Sequence, residues 1–234
     1  MHISLIGAGF CGSALAAELL RQGGPQARVT LVGQPETFGR GVAYGAARPE
    51  HLLNARAKDL GLVADAPTGF ADALALGEGG RLGFLPRLAY GDYLQDQLHQ
   101  ATAQAQNFAR IEEEVIAVDR VPGGFRVLLG NGEDFLSDRV VLCVGALPPQ
   151  RLAGVGPRLA VDRRYIGWPW QDGAIDAIAP NARLLIVGTG LTMADVVVTL
   201  RQRDHRGPIT VLSRHGLMPL PHLEAPGAPL ELPP

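Results

Sequence analysis

Hydrophobic positions along the chain fall into short runs punctuated by glycine rather than into long amphipathic stretches. Ile3 to Ile6 form an apolar run that enters Gly7-Ala8-Gly9-Phe10-Cys11-Gly12 and leaves through an Ala/Leu-rich segment with helical spacing. This pattern predicts a buried strand that turns sharply into a helix. Gly23, Gly24 and Pro25 stop the helix, and Arg28 to Val32 reads as a second strand, completing a βαβ unit of about 30 residues. Phe38 to Asn54 is too rich in Gly, Pro and Arg for regular structure, yet it carries Phe38, Val42, Tyr44, Leu52 and Leu53. Such a segment packs either on a ligand or as a buried connection. Ala55 to Arg87 shows no period, being broken by Gly77, Gly79, Gly80 and Gly83. Leu88 to Ala105 then places Tyr90, Tyr93, Leu94, Leu98 and Ala101 at helical spacing, the mark of an amphipathic helix.

Three strand-like segments follow, Glu114 to Val118, Phe125 to Leu129 and Arg139 to Val144, separated by turn signals at Pro122-Gly123-Gly124 and Gly130-Asn131-Gly132. The first two suggest a short β-meander. The third is continuously apolar, as expected of a parallel strand covered on both faces. It ends at Gly145, where a ligand could approach backbone or the chain simply turns. Gln150 to Ala182 reads as a connector, which places a domain boundary near residue 150 and divides the chain into 1–150 and 151–234. Arg183 to Val187 opens a second strand–glycine–helix unit through Gly188-Thr189-Gly190-Leu191-Thr192-Met193 to about Gln202, and Pro208 to Leu212 is its next strand. The final 18 residues hold six prolines and no periodic pattern. On this reading the second domain is incomplete. The fold class expected is α/β, with Rossmann-like parallel sheets, two dinucleotide-binding units and a small β-meander insertion.

Composition narrows the picture mainly by exclusion. A net charge of −2, 47% hydrophobic and 19% charged residues give no electrostatic case for nucleic acid or an anionic membrane. No run approaches the ~18 apolar residues of a membrane span, and the amino terminus lacks the basic region of a signal peptide, so a cytoplasmic location is expected. Cys11 and Cys143 form no CxxC motif, so neither a disulfide framework nor a dithiol centre is expected, and each reads as a small buried residue. Lys58 is the only lysine.

The glycines carry the candidate chemistry. In GxGxxG the first glycine permits the tight turn, the second lets a pyrophosphate approach the backbone and the third lets helix and strand pack closely. Gly7, Gly9, Phe10, Cys11 and Gly12 are therefore candidate pyrophosphate ligands at a helix N-terminus. An acid normally closes the second strand and binds ribose; here Gly33 and Gln34 stand there and Glu36 is the nearest acid. Glu36 reaches in from the loop, Gln34 substitutes, or the contact is missing. In the second unit Gly188, Gly190, Leu191 and Thr192 are the corresponding candidates, although Met193 replaces the third glycine. Ser213, Arg214 and His215 end the next strand, where a hydroxyl and two cationic groups favour a 2′-phosphate and hence NADPH over NADH; the alternative is a basic surface turn. His99, His205, His215 and His222 form neither a metal site nor a triad and are expected to be solvated.

The segments IGAGFCGSALAAELL, FGRGVAYG, PEHLLN, and VGTGLTMADVVVTL with SRHGLMPLPH resemble the family of FAD/NAD(P)-binding flavoproteins related to FAD-dependent urate hydroxylase and aspartate N-monooxygenase. The resemblance spans essentially the whole chain, and members are roughly twice this length. It implies FAD in the first domain and NAD(P)H in the second, which is here partial with a Pro-rich carboxyl end. By that similarity Arg40, Tyr44, His51 and Asn54 would lie near the flavin and Gly145 would border it. The implied activity is an FAD- and NAD(P)H-dependent oxidoreductase of monooxygenase type acting on a small molecule. The alternatives are a nucleotide-binding module without turnover, completed by a partner chain or a further C-terminal half, and a flavin reductase. No catalytic residue and no metal are assigned.

Overall fold

The structure, a computed structural model, describes residues 1–24, 26–171 and 173–223. Pro25 and the last part of the proline-rich tail lie outside the described residues. The chain divides into two compact units, Met1–Ala174 and Ile175–Pro234.

In the first unit β1 (His2–Ile6), α1 (Phe10–Gln22) and β2 (Arg28–Gly33) form the expected βαβ. A 3-10 turn (Pro35–Thr37) and a short helix α2 (Gly41–Gly45) follow. This helix corrects the reading of Phe38 to Asn54 as free of regular structure. The next short helices are α3 (Gly69–Ala73) and α4 (Glu78–Arg81), and then the long helix α5 (Arg87–Thr102). Strand β3 (Phe108–Glu112) precedes a meander of β4 (Val115–Val121), β5 (Gly124–Leu129) and β6 (Asp134–Ser137). β7 (Arg139–Leu142) and a single helical turn α6 (Pro157–Ala160) complete the unit. β1, β2, β3 and β7 make one wholly parallel sheet in the order β3-β2-β1-β7, in which Ile6 pairs with both Val32 and Leu142. The α/β, Rossmann-like expectation is met.

One face of this sheet packs on α1 and α5 through Ile3, Leu5, Ala16, Val29, Leu31 and Leu98, and the other packs on the meander through Ile6, Val32, Val127 and Leu129. That two-sided burial explains the near-continuous apolar runs of β1 and β2. A third cluster joins α1, α3 and α5 through Ala17, Phe70, Tyr90, Tyr93 and Leu94. In it Phe70 meets Tyr90 edge-on with ring centroids 5.0 Å apart. β7 is an edge strand among the described residues, and Leu142, Val144 and Leu147 at and beyond its end are exposed.

His2 ties the meander to the sheet. Its Nδ1 donates to the Leu136 carbonyl at 2.9 Å and its Nε2 faces the Thr30 hydroxyl at 2.8 Å. Burial holds its imidazole below the ordinary 6.5, against the opposing pull of the Leu136 carbonyl, with Arg28 adding to the decrease. A depressed folded-state pKa means that the unfolded chain binds the extra proton first. The stabilisation is therefore present above about pH 6.5 and is lost as the pH falls towards the folded-state value. Melting temperatures taken from about pH 8 down to about pH 5 should fall less steeply for His2→Gln than for the natural chain. Parallel profiles would show that His2 is not the titrating group.

The second unit holds β8 (Leu184–Val187), α7 (Leu191–Gln202) and β9 (Ile209–Leu212), a parallel pair with its crossover helix. Leu185, Val187 and Leu212 are exposed. Asp204, at φ 58, makes the turn out of α7. His99, His215 and His222 are exposed, as expected, but His205 is buried at 3% exposure. Its backbone explains the difference: its N–H donates to Leu200 and its carbonyl accepts from Arg201, which folds the residue back under the helix end. Among the described residues no group of side chains could hold a metal ion and no helix is long and apolar enough to cross a membrane.

Candidate functional site: two glycine cradles

The first turn is built from backbone. Gly7 adopts φ 107 and donates its N–H to the Val32 carbonyl at 2.8 Å. A Cβ at Gly7 would lie 2.2 Å from the Cys143 carbonyl oxygen, and one at Gly12 would lie 1.9 Å from the Gly7 oxygen. Only glycine lets β7 and α1 close on the turn in this way. The Ser13 N–H bonds to the Gly9 carbonyl, leaving the amides of Phe10, Cys11 and Gly12 without backbone acceptors. No side chain caps α1 and no acid occupies its first turn. These amides and the helix dipole are therefore free to face an anion.

A second glycine loop, within the Phe38 to Asn54 segment that the sequence marks as packing on a ligand or as a buried connection, seats on the first. Gly39, at φ 79, donates to the Ala8 carbonyl at 2.9 Å and to the Ser13 hydroxyl at 3.2 Å. Gly41 packs so closely that a Cβ on it would lie 3.0 Å from the Gly9 Cα. The spacing FGRG just after β2 was the signal available. The Ser13 hydroxyl also donates to Ala8 at 3.1 Å, so one buried side chain serves both loops. Ser13→Ala should cost about 1–2 kcal/mol, read as a shift of the urea midpoint at constant slope; an unchanged midpoint would mean that the loops hold each other without it.

Gly91 on α5 opens the seat for α2, since a Cβ there would lie 3.1 Å from both Arg40 Cγ and Tyr44 Cβ. Arg40 pairs with Asp92 through one terminal nitrogen, while its Nε is buried without a hydrogen-bond partner. An orphaned guanidinium N–H beside the glycine loops fits a polar ligand group. Tyr44 lies edge-on to Tyr90 at 5.0 Å, and burial pushes its hydroxyl pKa up, so it remains a neutral phenol. His51 is buried; its Nδ1 accepts from the Arg48 N–H and its ring meets Trp170 edge-on at 5.5 Å. Asn54 is exposed. Gly145, at φ 65, turns the chain with open space where a side chain would project. The structure thus brings Gly7, Gly9, Phe10, Cys11, Gly12, Arg40 and Tyr44 into one neighbourhood of packed loops and sets His51 against Trp170.

The absence of an acid at the end of β2 has a steric correlate. A Cβ on Gly33 would lie 2.6 Å from Ala8 Cβ and 3.0 Å from Ala8 N. Gln34 and Glu36 are both exposed, flanking the 3-10 turn that the Thr37 hydroxyl closes onto the Gln34 carbonyl at 2.7 Å.

The second turn repeats the first. Gly188 has φ 110 and donates its N–H to the Leu212 carbonyl at 2.7 Å, as Gly7 does to Val32. Gly190 caps α7 at φ −74 and ψ −177, against −73 and −162 for Gly9. The Met193 N–H bonds to Gly190, and the amides of Leu191 and Thr192 lack backbone acceptors. No Cβ contact within 4 Å constrains Gly188 or Gly190, so this cradle is open. Register places Ser213 where Gly33 stands in the first unit, since Leu212 pairs with Val187 as Val32 pairs with Ile6. Ser213 Oγ accepts the Gly216 N–H at 3.0 Å, whereas Arg214 is exposed.

The sequence profile of the FAD-NAD(P)-binding family matches residues 4–147, which spans the first cradle, the glycine loops and the return strand. The chain belongs to this family. Among curated protein sequences none matches it. Solved structures extend the likeness of fold over about nine-tenths of this FAD-NAD(P)-binding chain. It is similar to the ornithine N-hydroxylase of Kutzneria sp. 744, solved with reduced FAD, NADP+ and L-ornithine, at a TM-score of 0.65 and 16% identity over 90% of this chain and 52% of that one. It is also similar to cyclohexanone monooxygenase in its closed form, at 0.61 and 19% over 90% and 37%, and to OTEMO complexed with FAD and NADP, at 0.62 and 18% over 92% and 39%. The chain spans about half or less of the length of these three proteins.

Proposed function

We propose that the chain is the nucleotide-binding part of an FAD- and NAD(P)H-dependent oxidoreductase of flavin monooxygenase type, with FAD in the first cradle and NADPH in the second. The observation that carries the reading is the repetition of one backbone turn, with φ near 107 and 110 at its first glycine, at the heads of two separate βαβ units. In the first, the free amides of Phe10, Cys11 and Gly12 would take the pyrophosphate, with the unpartnered Arg40 Nε available to a further polar group. In the second, the amides of Leu191 and Thr192 would do the same, and Arg214 would pair with the 2′-phosphate. The chemistry the cofactors supply when bound is hydride transfer and, in this reading, transfer of an oxygen atom to a small substrate. The chain's own residues orient and enclose: Tyr44 and Tyr90 keep water from the inner side of α2, and His51 with Trp170 walls the loop that follows. The finer relation, to urate hydroxylase and aspartate N-monooxygenase, rests on the FGRGVAYG and PEHLLN segments.

A second reading, a nucleotide-binding module that turns over only with more polypeptide, is favoured by the exposed apolar residues at the end of β7 and on β8 and β9. The visible spectrum of the purified protein and its rate of NADPH oxidation separate the two. A bound flavin reduced by NADPH supports the oxidoreductase. A protein that binds FAD without being reduced by NADPH supports the module, and one that takes up no added FAD overturns both.

A further inference from the structure

An acid at the end of the second strand of a βαβ unit takes the adenosine ribose of a bound dinucleotide. In the first unit that position is Gly33, and Ala8 and the Thr37 hydroxyl already occupy the space into which a side chain there would project. The neighbouring strand carries what β2 lacks. β3 runs parallel to β2, with Phe108 in register beside Val29 and Glu112 beside Gly33. Residues four apart on a strand share a face, and Phe108 packs in the same cluster as Val29 and Leu31. Glu112 therefore stands at the level of the missing acid, on the same face of the sheet and one strand spacing, about 4.8 Å, away.

Its carboxylate is held in place. Glu112 pairs with a terminal nitrogen of Arg110 at 2.6 Å, and the Arg110 guanidinium lies over the Phe38 ring, 3.8 Å from its centroid. Phe38 is buried and leads into Gly39, whose N–H donates to the Ala8 carbonyl in the first glycine turn. Contacts thus run unbroken from Glu112 to the cradle. The Glu112 side chain is still 48% exposed, and a carboxylate has acceptor sites beyond the one that an arginine takes. Glu36, the nearest acid in the sequence, is exposed on the 3-10 turn and has no partner among the described residues to fix it. We propose that Glu112 accepts a hydrogen bond from the 2′-hydroxyl of the adenosine ribose in the first cradle, with Arg110 positioning it. The proposal rests on the nucleotide reading of that cradle. It makes one ion pair serve twice, shielding the sheet edge and presenting a pre-organised acceptor to the ligand.

The test titrates the whole chain with FAD and with its 2′-deoxyadenosine analogue, followed by flavin fluorescence, in the natural protein and in Glu112→Ala, Glu112→Gln and Glu36→Ala. The natural chain should bind FAD about 10–100-fold more tightly than the analogue, the range that a hydrogen bond to a charged group supplies. Glu112→Ala should weaken FAD by that factor and leave the analogue unchanged, so that the preference disappears. Melting temperature checks the fold of the variant; if it drops, Glu112→Gln, which keeps the shape and removes the charge, takes its place and should show a reduced preference. Equal affinity of the natural chain for the two flavins, or equal weakening of both by Glu112→Ala, overturns the ribose contact. A preference lost in Glu36→Ala and kept in Glu112→Ala assigns the contact to the loop and overturns it too. A natural chain that binds neither flavin overturns the nucleotide reading itself.

Discussion

Gly7→Ala is expected to remove FAD binding and most of the stability of the first unit together. The added methyl would fall 2.2 Å from the Cys143 carbonyl oxygen and 2.6 Å from its carbon, both backbone atoms of the residue that follows the paired strand β7, so relief requires the ends of β1 and β7 to part. A positive φ of 107 adds conformational strain. Overpacking and backbone strain each cost about 1–3 kcal/mol; together they take a large share of the roughly 5–15 kcal/mol that holds a domain. The matched substitution Gly188→Ala isolates the strain, because no atom lies within 4 Å of its Cβ position. It should cost about 1–3 kcal/mol and leave FAD binding intact while weakening NADPH. Calorimetry and flavin fluorescence on both variants make the comparison. Equal losses of stability would mean that the carbonyl of Cys143 does not set the tolerance of the first turn.

Arg214→Glu is expected to cut NADPH affinity by about 10–100-fold, the range of 1.5–3 kcal/mol that charge-assisted hydrogen bonds supply, and to leave NADH nearly unchanged. Arg214 is exposed, so the folded chain should be unaffected and the melting temperature serves as the control. Because the contact is electrostatic, the difference between the two nucleotides should shrink as salt is raised. If both nucleotides weaken equally, Arg214 acts on the pyrophosphate or on the fold, and the 2′-phosphate assignment fails.

The parts of the fold legible in the sequence were those where glycine and apolar runs coincide. The βαβ from His2 to Gly33 and its copy from Leu184 to Leu212 follow from strand, turn and helix signals that reinforce one another, and α5 follows from Tyr90, Tyr93, Leu94 and Leu98. Strand β3 was hidden because it is an edge. Arg110 and Glu112 lie along it as an ion pair at 2.6 Å, a polar protection typical of edge strands, and this erased the apolar pattern. Strand β6 was too short to register. The short helices α2, α3 and α4 exist through packing rather than propensity: Gly41 and Gly45 bound α2, and α3 is held by Phe70 beneath the tyrosines.

At the site, the turn glycines were legible because their chemistry is local. The contacts of Gly41 with Gly9, Gly33 with Ala8 and Cys143 with Gly7 were not, since each joins positions that only the parallel sheet brings together. Cys11 shows the same limit. Read as a small buried residue, it is exposed, because nothing local in the sequence shows how much of the first turn of α1 the fold covers.

Gly91 links two properties that are usually adjusted separately. The bare backbone of α5 at this point is the floor on which both Arg40 and Tyr44 rest, so the depth of the helix–helix contact and the placement of two candidate flavin neighbours are a single variable. One methyl group at 91 would lift both side chains without altering either. A protein engineer therefore has a means of resetting these two side chains together from behind, through a residue that bears no functional group of its own.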